Sequence, residues 1–335
     1  MNARIRLVAV STALLAPWCH AQGPDLELLP EDTTFVVHAE VQQVAQLLDL
    51  ERILSRVRGG KSDLPRGRVR LEADVLQMIE DQWGVRPLRE LRSVTLFGDK
   101  DFDEPTVMIR VSDEFDRLLD GMRDAGALRP ELHAGLEFER LDGASLASAL
   151  GVDDGGDHDG GGYVFVQPVN EGLAILVGER PRDLVHAARV LHGDALSVRH
   201  AHRPALEGRP GGQSIVFAEL ASSLEDLTRR TPASKIAGKV RRVVLDVTAN
   251  GDSLGVVLAA ETDSAEDARD VAAVIDGLRG LVSLAATEEH VPPFVAEALR
   301  SARADAAGTR VTVRFRFSID ELRTIVHEHA DEAFR

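Results

Sequence analysis

Apolar and polar residues alternate strictly in TRVTVRFRF (309–317), the period-two pattern of a strand with one buried face. The same reading predicts strands in TFVVHAEV (34–41), SVTLFGD (93–99), PTVMIRV (105–111), LEFERLD (136–142) and SIVFAEL (214–220). YVFVQPV and LAILVGE flank Asn170-Glu171-Gly172, and RRVVLDVTAN and DSLGVVLAAET flank Asn250-Gly251; each reads as a hairpin. Between the strands the period changes to three and four. Val41, Val44, Leu47, Leu48, Ile53, Leu54 and Val57 share one helical face, as do Ala268, Val271, Ala272, Ile275, Leu278 and Val282 after Ser264. Further helices are expected over about 69–83, ending at Gly84, from Ser112, from Pro181 to about Leu191, after Val291-Pro292-Pro293, and after Ser318.

Hairpins beside helices predict an α+β fold, with mostly antiparallel sheets and helices on one face. One local grammar recurs. MIRVSDEFDRLL (108–119) and RFRFSIDELRTI (314–325) both run strand, serine, acids, helix, and VVLAAETDSAEDARDV (256–271) is a third variant. Both halves also open on a similar strand, FVVHAEV and SIVFAEL. Either a β-α-β-β-α unit is duplicated into two similar halves, or all such junctions share a preference for Ser and acids at helix caps. HRPALEGRPGGQ (202–213) is the linker candidate. The expected organisation is a signal peptide at 1–21, an N-terminal α+β domain at 22–205 and a C-terminal α+β domain at 206–335.

The start of the chain carries its own address. MNARIR holds Arg4 and Arg6 with no acid, LVAVSTALLAP is an apolar core too short to span a membrane, and Cys19-His20-Ala21 offers small residues at −3 and −1. Secretory cleavage after Ala21 is expected, with the mature protein periplasmic or extracellular. Pro17 and Trp18 before Cys19 argue against a lipid anchor. Cleavage removes the one cysteine and two arginines, taking the formal charge from −16 to −18. Disulfides and thiolate metal sites are then excluded. The acidic field disfavours nucleic acid, no later apolar run reaches transmembrane length, and a protein or envelope component is the partner class left open.

No motif in the chain carries a reaction. Gly60-Lys61-Ser62 matches the end of a phosphate-binding loop, but Ser55 stands where its first glycine belongs, and Pro65 follows where a helix is needed. His327 and His329 are two apart on an expected helix and point to different sides. His200 and His202 share a face only if RHAHR is a strand, and two imidazoles fall short of a zinc site. GVDDGGDHDGGGY (151–163) gathers Asp153, Asp154, Asp157, His158 and Asp159 among six glycines. Fitted to a calcium loop through Asp157, Asp159 and Gly160, it places Gly155 first and Val166 last, where carboxylates are required. It therefore reads as an acidic connection, with a metal role revived only if His200 or His202 meets Asp157 and His158. No metal or cofactor is expected, and no catalytic residue is singled out.

LLPEDTTFVVHAEV, with Leu29-Pro30-Glu31-Asp32-Thr33 at its head, resembles a loose group of uncharacterised exported bacterial proteins that begin Leu-Pro-x-Asp-Thr after the signal peptide. WGVRPLRELRSVTLFGD is also similar to that group. The resemblance implies export and this order of strands and helices, and it implies no activity and no functional residue. The expected function is an exported, non-enzymatic binding, scaffold or envelope role. The alternative is an exported hydrolase, metal-assisted, using scattered Asp and His residues.

Overall fold

The computed structural model describes residues 26–52, 68–98, 105–149, 161–197, 214–221, 238–285, 298 and 301–333. Its elements run β1 (Phe35–Glu40), α1 (Val41–Leu47), α2 (Arg68–Trp83), α3 (Pro87–Glu90), β2 (Leu91–Gly98), β3 (Thr106–Val111), α4 (Asp116–Asp124), β4 (Leu128–His133), β5 (Leu136–Leu141), α5 (Gly143–Ala149), β6 (Gly162–Val169), β7 (Gly172–Gly178) and α6 (Pro181–His192). There follow β8 (Ser214–Leu220), β9 (Val240–Asn250), β10 (Ser253–Thr262), α7 (Ala265–Ala285), β11 (Arg303–Ala307), β12 (Arg310–Ser318) and α8 (Ile319–Ala333). All twelve strands form one open antiparallel sheet, in the order β11-β12-β10-β9-β8-β1-β2-β3-β7-β6-β5-β4. The α+β class is the one that the alternating and helical periods predict.

The sheet runs unbroken across residue 206, because β1 pairs β8. Outward from that central pair, one side reads β2, β3, β7, β6 and the other β9, β10, β12, β11. Each side is a three-strand meander, then a helix, then a hairpin whose second strand packs innermost. The β5–β4 hairpin extends the first side only. Aligning FVVHAEV with SIVFAEL sets His38 on Phe217, and these two residues are register partners. The mirrored strand order of the two sides is therefore centred on that pair.

Register divides the side chains into two faces. Val36, Phe97, Met108, Phe165, Leu176 and Phe217 pack together on the face that also carries His38, covered by Leu184, Ala187 and Ala188 of α6. On the opposite face, Val111, Leu173 and Ile175 meet Leu119 of α4, while Leu254 and Val247 meet Val44 of α1 and Ile319 of α8. Val240 and Val311 there meet Ala268 and Val271 of α7. Helices thus collect on one face, with α6 on the other. Each Leu or Phe taken fully from water in these layers contributes about 1.5–3 kcal/mol. On the helix-rich face, Arg123 of α4 forks onto Glu139 of β5, its Nε lying 3.1 and 3.0 Å from the two carboxylate oxygens.

Local signals explain most element ends. Gly84 (φ 67°) closes α2 and Gly193 (φ 87°) closes α6, the left-handed step that glycine takes at least cost. Ser264 and Asp267 cap α7 reciprocally: the Asp267 N–H donates to the Ser264 hydroxyl at 3.1 Å, and that hydroxyl donates to Asp267 Oδ2 at 2.6 Å. Three details depart from the sequence reading. The helix after β1 stops at Leu48, because Asp49 turns to φ 52°. The β9–β10 turn is Gly251-Asp252, one residue later than read, with Asn250 already paired to Ser253. β4 and β11 were not foreseen. LRPELH contains a proline, and RADAA is too short and alanine-rich to signal a strand.

At Gly172 (φ 123°) an added Cβ would lie 2.0 Å from the Val111 carbonyl oxygen, so the β6–β7 turn sits directly on the β3 backbone. At Gly308 (φ 58°) the same atom meets nothing. Gly308→Ala should therefore cost about 1–2 kcal/mol, the left-handed penalty alone, and Gly172→Ala clearly more; denaturant unfolding of the two variants checks the order. A second expectation concerns acid. Lys239 Nζ lies 2.7 Å from both Asp267 and Asp270, and its hydrogen bond, followed by that of Ser264, holds the Asp267 carboxyl below the usual carboxylate range. The stabilisation is present above the unfolded carboxyl value, about pH 4, and disappears as pH falls through the lowered folded value. Lys239→Met should flatten this part of the acid slope of the unfolding midpoint.

Candidate functional site

One row of register partners crosses ten strands on the His38 face. It runs Phe165, Leu176, Met108, Thr95, His38, Phe217, Asp246, Val257, Arg314, Arg303. One end is apolar, the middle holds buried polar groups, and the far end is cationic. The middle carries the chemistry that could matter. His38 Nδ1 lies 2.8 Å from Thr95 Oγ1 and its Nε2 lies 3.1 Å from Glu40 Oε1. Asp246, two strands away, is buried, and its Oδ1 has no hydrogen-bond partner among the described residues.

The partners fix the tautomer of His38. A carboxylate only accepts, so Nε2 carries the proton and donates to Glu40. In the neutral imidazole Nδ1 then accepts, and the Thr95 hydroxyl donates to it. This hydroxyl–imidazole–carboxylate polarity is the one a nucleophilic relay needs. Access decides its role. Thr95 is 1% exposed and His38 4%, so no substrate reaches the hydroxyl in this conformation. The relay satisfies an imidazole that would otherwise be buried unpaired. Its register partner Phe217, 1% exposed, solves the same position with an apolar ring.

A cleft of about 330 Å³ opens on the opposite face where α1, the β9–β10 turn and α8 meet. Gln46, Leu47, Asp252, Asp320 and Arg323 are among its lining residues. Arg323 directs two of its donors inward, Nε to the Leu47 carbonyl at 2.5 Å and a terminal N–H to Asp320 Oδ1 at 3.1 Å. No hydroxyl, thiol or imidazole side chain lines the cleft.

Asp153, Asp154, Asp157, His158, Asp159, His200, His202 and the Gly60-Lys61-Ser62 stretch lie outside the described residues, as does the expected signal peptide at 1–21. His327 and His329 fall in α8. Among the described residues, no group of three or more His, Cys, Asp or Glu is arranged to hold a metal ion. No described helix is long and apolar enough to cross a membrane. His38 itself went unremarked within a strand pattern. The usable signal was an imidazole on the strand with Glu40 two residues on, hence on the same face.

No protein family and no curated protein matches the chain. Solved structures that are similar include crystal form III of TP0453, with a TM-score of 0.43 and 10% identity over 92% of this chain and 99% of that one. Crystal form IV of TP0453 is similar with a TM-score of 0.43 and 11% identity over 90% and 96% of the two chains. Likenesses of this order carry no functional argument.

Thr95→Val removes the donor to Nδ1 while keeping the shape of the side chain. It should cost about 1–3 kcal/mol, the penalty of one buried unsatisfied acceptor. Equilibrium unfolding measures it, and a double-mutant cycle with His38→Phe should show the two changes to be strongly non-additive.

Proposed function

We propose that this chain is an exported, non-enzymatic α+β protein that binds or scaffolds other macromolecules in the cell envelope. The observation that carries the reading is the shape of the sheet. It is open, it ends in β4 and β11 with no further described strand on their outer sides, and its His38 face becomes exposed and charged toward β11. Such a surface suits a broad contact better than the enclosure of a small substrate. The closed His38 relay supports the same reading, since its only hydroxyl is shielded. Export rests on the basic start, short apolar core and small-residue site that end at Ala21. The mirrored strand order around β1 and β8 supports an origin by internal duplication.

Protein recovered from the periplasm of an expressing cell should begin at Gln22 by N-terminal sequencing. Elemental analysis of that material should find no stoichiometric metal. A stoichiometric metal, or turnover of a peptide or ester that vanishes in His38→Gln, would overturn the non-enzymatic reading in favour of an exported hydrolase.

A further inference from the structure

The two halves differ most at their last helices. α6 follows β7 and packs on the His38 face, while α8, its counterpart after β12, turns to the opposite face. The side chains of β12 on the His38 face are left without a matching helix. These are Arg310, Thr312, Arg314 and Arg316, and Arg303 of β11 joins them as the register partner of Arg314. Arg303, Arg314 and Arg316 are all exposed.

Two arginines directly opposite each other on neighbouring strands repel, and such pairs are normally avoided. The described residues offer little relief. Asp305 reaches Arg314 at 3.1 Å, itself 67% exposed, and neither Arg303 nor Arg316 has a carboxylate partner among them. This clustering occurs in a chain with 55 acidic and 39 basic residues, where the average neighbour of an arginine should be an acid. Beside Arg316 the next strand presents Gly255, followed by Val257 and Ala259, so the floor next to the arginines is low.

The strand edge adds a second element. β11 ends the sheet, and no described strand pairs its outer side. Its five residues contain no proline to remove an outward donor, whereas β4 at the other end carries Pro130. An extended segment added to β11 repeats its same-face side chains every two residues, about 7 Å. Arg314 and Arg316 have that same two-residue spacing along β12.

We propose that the free edge of β11 and the arginines beside it dock an extended segment of a partner protein that carries acidic residues at alternate positions. The main chain of the segment continues the sheet, and its carboxylates take the bidentate donors of Arg303, Arg314 and Arg316. A polyphosphate surface is disfavoured because it has no main chain to pair with the outward donors and acceptors of β11, whereas a peptide strand does. This assignment deepens the binding reading above and rests on it.

The test uses a fluorescent peptide of about ten residues with Thr and Glu alternating, long enough for one strand. Binding to the purified protein is followed by fluorescence anisotropy. Saturable binding is expected, weakened by salt and reduced about tenfold or more in Arg314→Gln/Arg316→Gln. Arg316→Gln alone, at an exposed site, should give an intermediate loss if the double variant folds poorly. Hydrogen exchange at residues 303–307 should slow when the peptide binds. Equal binding of a Thr/Lys peptide, unchanged affinity in the arginine variants, absence of binding, or binding without protection of 303–307 would each overturn the proposal. So would tighter binding to phosphatidylglycerol vesicles or to a single-stranded oligonucleotide, which would assign the arginines to phosphate. Any of these failures leaves the non-enzymatic reading standing, since that falls on metal content and turnover.

Discussion

The architecture depends on the antiparallel pairing of β1 with β8. Without it there are two small sheets, each with a hydrophobic strand as a raw edge. With it there is one twelve-stranded sheet whose apolar layers run continuously from Phe165 to Phe217. The residues at the centre of the pairing answer one constraint in two ways. The position must be filled and dry. Phe217 meets that with an apolar ring, and His38 meets it with an imidazole whose two nitrogens are both engaged, by Thr95 and Glu40. Burial of a polar ring is tolerable because Thr95 is its register partner and Glu40 follows two residues on along the same face.

From that centre the molecule departs from symmetry in a definite direction. Toward β6 the His38 face is closed by Leu184, Ala187 and Ala188 of α6. Toward β11 the equivalent helix is on the other face, where Ile319 packs against Leu254. The same sheet face therefore changes from a core into a surface across ten strands. Asp246 stands at the turning point, one strand beyond Phe217, and the arginines follow two strands later. A fold that repeats its topology so closely has put its chemical difference where the repeat fails.

The sequence was informative wherever structure is set locally. The β9–β10 and β6–β7 hairpins follow from short glycine-bearing turns between alternating strands. The α7 cap follows from Ser264 and Asp267, three residues apart. The class followed from the order of these elements. Less legible were features decided by tertiary partners. β4 holds its place through pairing with Leu136–Leu141 despite Pro130, and β11 through pairing with Arg310–Arg314 although all five of its residues are small or polar. The His38 relay needs Thr95, 57 residues away, at a register that no spacing rule supplies. The acidic cluster around Asp157 drew attention by composition, while the arginines of RVTVRFRF looked like the ordinary polar face of a strand.

The central pairing also governs how the chain reaches its structure. Every other pairing in the sheet joins residues at most 70 apart in sequence, Val107 and Val177 being the extreme, whereas His38 and Phe217 meet across about 180 residues of chain. The halves can assemble from local contacts first, and their junction then closes the longest loop in the sheet. Until it closes, β1 and β8 are both unpaired apolar edges, the kind of surface on which folding intermediates associate. Because the two edges answer each other at the centre of the mirrored strand order, a β1 from one molecule fits a β8 from another. Exchange of halves between chains is thus the characteristic misassembly open to this fold at high concentration.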